Sequence, residues 1–162
     1  MAEFWDVYDI NGKKLNKVVQ RDKDWLGKEE YHMGSAVFIK DEFDDFLIQQ
    51  RSFNKSLFPG KWSITGGSAL AGENAKQCAI REVKEELGIA LKQQDLKKIY
   101  HFIERQCHFN IFVASVPKTT KIKRQIEEVE QIAWISRQKM LEMYHSGDFM
   151  LPFIDEMLNR IK

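Results

Sequence analysis

Short apolar runs, separated by charged or glycine-containing segments, occupy most of the chain and predict a protein rich in β-strands. The runs that predict strands lie at residues 5–10, 31–40, 46–51, 62–65, 89–103, 107–116 and 131–136. Asn11-Gly12 follows the first run and is typical of the tight turn of a hairpin. Residues 13–30 are charged and irregular, so no strand or helix is predicted there.

Three other segments are predicted to be helical. They lie at about residues 74–87, 137–145 and 149–161. Gly66-Gly67 and Gly72 indicate a loop before the first of these helices, and Gly88 marks its end. The order of strands, helix, strands and helices favours an α+β fold in which helices cover a mixed sheet in α/β/α layers.

Composition narrows the class of protein. The chain has 162 residues without a linker or repeat, which predicts a single domain over residues 1–162. A formal net charge of +1 argues against a non-specific binder of nucleic acid polymers. Cys78 and Cys107 have no zinc-site spacing and are interpreted as reduced thiols. The sequence shows neither a signal peptide nor a membrane span, so we expect a cytoplasmic protein.

The first predicted helix carries a dense group of carboxylates. At 3.6 residues per turn, Glu82, Glu85 and Glu86 fall within an arc of about 100°. The apolar residues of the helix occupy another face and are Ile80, Val83 and Leu87. Like charges at this spacing repel one another, and Arg81 offsets only part of that repulsion. A hard divalent cation, Mg²⁺ or Mn²⁺, would offset the rest.

An ordinary solvated helix face is the alternative explanation of these glutamates, and the glutamates alone would favour it. The preceding Gly66-Gly67 pair favours a metal site, because glycine lets the backbone approach a ligand closely. A carbonyl oxygen in this loop could complete the coordination of the metal.

The segment from Gly67 to Ile89 resembles the Nudix box. Nine specified positions over 23 residues agree with the pattern, and they are Gly67, Glu73, Arg81, Glu82, Val83, Glu85, Glu86, Gly88 and Ile89. A match of this length is far more specific than a lone glycine motif, so the chain is identified as a member of the Nudix family.

The resemblance implies an α/β/α sandwich and Mg²⁺- or Mn²⁺-dependent hydrolysis of a nucleoside diphosphate linked to another moiety. The implied metal ligands are Glu82, Glu85, Glu86 and a backbone carbonyl near Gly67. Arg81 and Glu73 are implied to orient the helix and its carboxylates.

In the family the general base lies either on the box helix, here Glu82 or Glu85, or in a later loop. Glu128, six residues before Trp134, is the later-loop candidate, and Glu127 is the second choice. An exposed acidic turn explains both of these later residues equally well.

Substrate contacts are harder to assign. Arg51 ends a predicted strand and is a candidate for bidentate binding of phosphate. Phe53, Phe58 and Trp62 are interpreted as core residues rather than as a stacking surface for a base.

Upstream segments resemble the Nudix branch that includes isopentenyl-diphosphate isomerase. They are Trp5-Asp6-Val7-Tyr8-Asp9, His32, Gln49-Gln50-Arg51-Ser52 and Phe58-Pro59-Gly60-Lys61-Trp62. The isomerase cysteine is replaced by Gly66, and two of its histidines by Ser68 and Trp25. His32 is interpreted as a histidine satisfied within its strand.

Three functions therefore stay open. A hydrolase acting on a small diphosphate is favoured, since the box is intact. An isomerase is disfavoured by the missing thiol, and a catalytically idle nucleotide-binding module usually has a broken box. A homodimer is open, since many relatives are dimers.

Overall fold

The computed structural model describes residues 1–162, with nine strands and three helices. The strands are β1 (Phe4–Tyr8), β2 (Lys14–Gln20), β3 (His32–Lys40), β4 (Phe46–Arg51), β5 (Trp62–Ser63), β6 (Thr65–Ser68), β7 (Lys97–Glu104), β8 (Cys107–Ser115) and β9 (Val129–Ile135). The helices are α1 (Ala75–Leu87), α2 (Arg137–His145) and α3 (Ile154–Asn159), with a single 3-10 turn at Gln93–Asp95.

β3 lies at the centre of a seven-stranded sheet. Along one edge it pairs in parallel with β8, from His32 opposite Cys107 to Lys40 opposite Ser115. β7 then pairs antiparallel with β8. Because one pairing is parallel and the others are antiparallel, the predicted mixed sheet is confirmed.

The other edge of β3 is shared between two strands. Its end near Lys40 pairs with β4, and residues 34–37 pair with β6. β4 continues beyond β3 and pairs with β5 on one side and β9 on the other. The start of α1 lies beside the middle of β3, where the Ser35 hydroxyl donates to the Ala75 carbonyl at 2.7 Å.

Alternating residues of β3 build two separate cores, one on each face of the sheet. Val37 and Ile39 pack with Ala79, Val83 and Leu87 of α1. On the opposite face, the core joins β3 to α2 and α3 through Ala36, Phe38, Met140, Ile154, Met157 and Leu158. The sheet is thus covered by helices on both faces, which confirms the expected α/β/α layers.

β1 and β2 form a separate antiparallel hairpin before the main sheet. The prediction that residues 13–30 contain no element was wrong for Lys14–Gln20. Only Val19 of this strand is buried, so its charged sequence lacks the apolar alternation that marks a half-buried strand.

Two further boundaries were predicted wrongly. Gly66-Gly67 lies inside β6 rather than in a loop, paired with Ala36 and Ser35. The last helix starts at Ile154 rather than 149, because Pro152 disfavours helix before it and Phe153 adopts a left-handed φ of 61°.

Candidate active site

Helix α1 is held at both ends. Asn74 and Gln77 form a reciprocal capping box, with both bonds at 2.9 Å. Gly88 adopts a left-handed φ of 69°, and its N–H donates to the Lys84 carbonyl. The helix direction is therefore fixed, and with it the direction of the carboxylate face.

Arg81 gathers the acidic residues of this face. Its guanidinium binds both oxygens of Glu73, at 2.7 and 3.0 Å. Its Nη1 also donates to Glu82 at 2.8 Å and Glu85 at 3.1 Å, and Nη2 donates to the Ser68 carbonyl at 3.0 Å. Burial opposes ionisation of Glu73, but the bonds from Arg81 and the Leu70 amide outweigh it and lower its pKa. A single partly buried cation thus links four carboxylate contacts to the preceding loop.

Gly67 lies directly against Glu82. A Cβ atom added at Gly67 would be 2.5 Å from Cδ and Oε1 of Glu82, so no other residue fits without a shift. Burial raises the pKa of Glu82, and the positive charge of Arg81 opposes that rise. The Gly67 carbonyl oxygen accepts from Sγ of Cys78 at 3.5 Å.

Glu86 is the most buried of the three box glutamates, with 7% of its surface exposed. Gln49 donates to it at 2.7 Å and accepts from Thr65 at 3.0 Å. Burial, with the nearby charge of Glu82, raises the pKa of Glu86 to about 8. A buried carboxylate of this kind favours a neighbouring cation over a second negative charge.

Glu128 lies close enough to this face for its charge to contribute to the raised pKa of Glu86. Lys55 contacts Glu128 at 2.5 Å, and the Glu128 carbonyl accepts from the Ser52 amide at 2.9 Å. Glu127 is exposed. Of the two loop candidates, Glu128 is the partly buried one, and its role as a general base stays a prediction.

The oxygen-only donor set on this face fits a hard divalent cation. It comprises the carboxylates of Glu82, Glu85 and Glu86 and the backbone at Gly67. In the structure Glu82 and Glu85 face Arg81 while Glu86 faces Gln49. No three His, Cys, Asp or Glu side chains already form a metal-holding group. Each bond from Arg81 uses one carboxylate oxygen, so the second oxygen of Glu82 and of Glu85 can reach a metal while Arg81 stays in place.

Sequence reasoning missed Gln49 and Thr65 as the polar residues behind Glu86, and it missed the pairing of Lys55 with Glu128. Gln49 is a buried amide within the apolar strand β4, and this mismatch between residue type and strand position was the available signal. Lys55 and Glu128 are 73 residues apart, and nothing in the local pattern joins them.

Arg51 ends β4 as predicted, and its Nε donates to the Leu57 carbonyl at 2.7 Å. It thereby fixes the loop at residues 52–60. The expectation that Phe53 and Phe58 are core residues was wrong, since 63% and 39% of their surfaces are exposed. Arg105 lies 4.8 Å above the Phe58 ring. Trp62 is partly buried against the core, as expected.

His32 stacks on Trp5, with ring centroids 4.0 Å apart and planes 11° apart. Its Nδ1 atom is buried without a hydrogen-bond partner, so the expectation of a satisfied strand histidine was wrong for this atom. Burial, chiefly, lowers the pKa of His32 to about 4. The histidine is therefore neutral in the folded protein at neutral pH.

Acid should destabilise the protein through His32. Between pH 6.5, its ordinary pKa in the unfolded chain, and about 4, the unfolded state binds more protons, so stability falls as pH falls. We expect this term to remove about 2–3 kcal/mol between pH 7.5 and 4.5. Urea denaturation at both pH values should show a smaller loss for His32→Phe, which keeps the stacked ring.

His145→Gln is the control for that experiment, because His145 is exposed on α2. It should lose as much stability on acidification as the unmodified protein. Equal losses in His32→Phe and the unmodified protein would contradict the assignment of the term to His32.

Two surface concavities lie away from the carboxylate face. One of about 710 Å³ is bounded by Asp9, Leu15 and Tyr31, and one of about 560 Å³ by Asp41, Asp44 and Pro117. Neither contains a residue of the predicted site. None of the helices has the length and apolar character needed to span a bilayer.

Comparison with known proteins gives the same family as the box. The family model for the NUDIX domain matches residues 30–155. An uncharacterised Nudix hydrolase from Listeria innocua is 33% identical over 99% of this chain and 95% of its own length. A crystal structure of a Deinococcus radiodurans protein shares the fold, with a TM-score of 0.79, 15% identity and coverage of 99% of this chain and 100% of that one.

Two more distant relatives have named activities. A prenyl-diphosphate phosphatase from Methanosarcina mazei is 28% identical over 74% of this chain and 72% of its own. An isopentenyl-diphosphate Delta-isomerase from Corynebacterium diphtheriae is 25% identical over 78% of this chain and 76% of its own. Both names specify a diphosphate as the substrate.

Proposed function

Because the chain belongs to the Nudix hydrolase family, we propose that it cleaves a diphosphate linkage in a nucleoside-diphosphate derivative, with Mg²⁺ or Mn²⁺. The observation that carries this proposal is the carboxylate face of α1, where Arg81 gathers Glu73, Glu82 and Glu85 beside Gly67. An intact face of this kind argues against a catalytically idle nucleotide-binding module.

Glu82, Glu85, Glu86 and the Gly67 carbonyl are the proposed metal ligands. When bound, the cation would offset phosphate charge and lower the pKa of a water molecule. Arg81 and Glu73 would hold the direction of the helix carboxylates during the reaction.

Glu128 is the proposed general base, with Glu82 and Glu85 as the alternatives on the helix. Lys55 orients the Glu128 carboxylate through the 2.5 Å contact. A general base must lie within hydrogen-bond reach of the water that it deprotonates, and a fixed carboxylate meets that requirement best. The loop that carries Glu128 is anchored to α1, since the Gln125 amide donates to the Glu86 carbonyl at 2.8 Å.

Arg51 is the proposed phosphate-binding residue. Of its guanidinium nitrogens, only Nε makes a hydrogen bond within the chain, so the two terminal nitrogens are available to a substrate.

A prenyl diphosphate is the second candidate substrate. The exposed apolar residues Phe53, Leu57 and Phe58 share the loop that begins beside Arg51, and a relative is a prenyl-diphosphate phosphatase. The isomerase reaction is disfavoured, because Gly66 occupies the position of its cysteine. A Cβ atom at Gly66 would lie 2.3 Å from the Ser35 carbonyl oxygen.

A substrate panel tests the proposal. Nucleoside-diphosphate derivatives and prenyl diphosphates are incubated with Mg²⁺ or Mn²⁺, and release of nucleoside monophosphate or phosphate is measured. We expect turnover of at least one nucleotide substrate that disappears in excess EDTA and returns with Mg²⁺. Turnover of prenyl diphosphates alone would favour the second candidate, and turnover unaffected by EDTA would contradict the metal site.

We also propose that residues 1–162 act as one domain on a small-molecule diphosphate in the cytoplasm. The two free, buried thiols of Cys78 and Cys107 are consistent with a reducing compartment. A homodimer stays a prediction.

A further inference from the structure

The N-terminal hairpin lies outside residues 30–155, which match the family model, yet it contacts the loop that precedes α1. The Ala71 amide donates to the Phe4 carbonyl at 2.7 Å. The Gly72 amide donates to Oδ2 of Asp6, also at 2.7 Å. One main-chain group and one carboxylate of β1 therefore hold two successive residues of that loop.

The Asp6 carboxylate is ionised and is held in place by its neighbours. It is buried, with 6% of its surface exposed, and Lys14 from β2 pairs with it at 2.7 Å. Burial opposes its ionisation, but the Gly72 amide and Lys14 outweigh burial and lower its pKa. Burying a charge costs free energy unless the charge is paired and hydrogen-bonded. The burial of Asp6 against the Gly72 amide therefore indicates that the loop is held in one position.

The loop position reaches the carboxylate face through a short chain of contacts. The Leu70 amide donates to Glu73 at 2.9 Å, and Glu73 takes two bonds from Arg81. Arg81 in turn donates to Glu82 and Glu85. Displacing the loop at Gly72 would therefore displace the Glu73 carboxylate and release Arg81.

We propose that Asp6 is a positioning residue for the metal-binding face. It fixes the loop that carries Glu73, and Glu73 holds the Arg81 guanidinium in place. Arg81 in turn orients the carboxylates of Glu82 and Glu85. The inference rests on the proposed metal site, and it assigns to the hairpin a role in that site. Asp6 touches neither metal nor substrate and acts through the loop.

Mn²⁺ binding tests this role without turnover. Free Mn²⁺ is measured by electron paramagnetic resonance during titration of the full chain, which gives a Kd. We expect Asp6→Ala to raise the Kd about tenfold, the size of effect typical of residues that orient metal ligands. Asp6→Asn keeps an acceptor oxygen for the Gly72 amide but loses the charge. Its Kd should therefore lie between those of the unmodified protein and Asp6→Ala.

Asp9→Ala is the matched control on the same hairpin. The Asp9 carboxylate accepts from the Asn11 and Lys13 amides within the hairpin turn and makes no bond to the loop before α1. This variant weakens the hairpin itself, so an unchanged Kd would show that loss of the Asp6 contact, and not general loosening, affects the metal.

The outcomes separate the two proposals. A Kd for Asp6→Ala equal to that of the unmodified protein would overturn the role of Asp6 while leaving the metal site in place. If Asp6→Ala fails to fold by circular dichroism, an unchanged Kd for Asp6→Asn overturns it instead. An unmodified protein that binds no Mn²⁺ would overturn the proposed function, and the role of Asp6 with it.

Discussion

Glu85→Gln should lower turnover of any accepted diphosphate by about a thousandfold, which corresponds to roughly 4 kcal/mol of lost transition-state stabilisation. Glutamine replaces the anionic carboxylate oxygen with a neutral amide oxygen, which holds a divalent cation more weakly. The fold should survive, because the Glu85 side chain is 52% exposed and its one bonded partner is Arg81 at 3.1 Å. The kcat at saturating Mg²⁺ and the melting temperature of the variant measure the two expectations.

Glu142→Gln is the matched control, since Glu142 lies on α2 and its side chain bonds only Gln138 and Lys139 of the same helix. Its turnover should equal that of the unmodified protein. Glu128→Gln and Glu127→Gln in the same assay rank the two loop candidates, and a larger loss is expected for Glu128. Unchanged turnover in Glu85→Gln would remove Glu85 from the proposed metal ligands.

Gly66→Cys, which restores the isomerase thiol, should destabilise the protein by about 3 kcal/mol or prevent folding, as overpacking of a close contact does. The added Cβ would lie 2.3 Å from the Ser35 carbonyl oxygen and 2.7 Å from Cα of Ala36. Both are backbone atoms of the central strand β3, which cannot rotate away. Urea denaturation measures the loss, and we expect no isomerase activity in the variant.

Ser68→Cys is the control for that substitution. It places a thiol on the same strand β6, two residues later, where the backbone already accommodates a Cβ. Its stability should stay within about 1 kcal/mol of the unmodified protein. A Gly66→Cys variant that is equally stable would show that β6 can move away from β3.

Elements with strong local signals could be predicted from the sequence. Helix α1 has a capping residue, an apolar stripe and a terminal glycine, and its prediction at about 74–87 was confirmed as Ala75–Leu87. β4 and α2 were predicted at their observed bounds. β2 could not be predicted in this way, because its pairing with β1 buries little apolar surface.

The face of α1 that holds the acidic residues followed from helix geometry, but its partners did not. The bonds from Gln49 to Glu86, Lys55 to Glu128 and Gly72 to Asp6 span 37, 73 and 66 residues. Such contacts depend on how strands are ordered in the sheet, which residue spacing does not encode. Exposure of Phe53 and Phe58 was missed for a related reason, since composition cannot distinguish a loop aromatic from a core one.

The parallel pairing of β3 with β8 delays completion of the sheet while the chain is being synthesised. His32 leaves the ribosome 75 residues before its partner Cys107 (107 − 32), so β3 waits for seconds at ordinary translation rates of about 5–20 residues per second. During that interval the apolar residues of β3 and α1 lack their β8 neighbours, and the core on the opposite face also lacks α2 and α3, which emerge later. The face of β3 that packs against α2 and α3 therefore stays uncovered until the last helix of the chain has emerged.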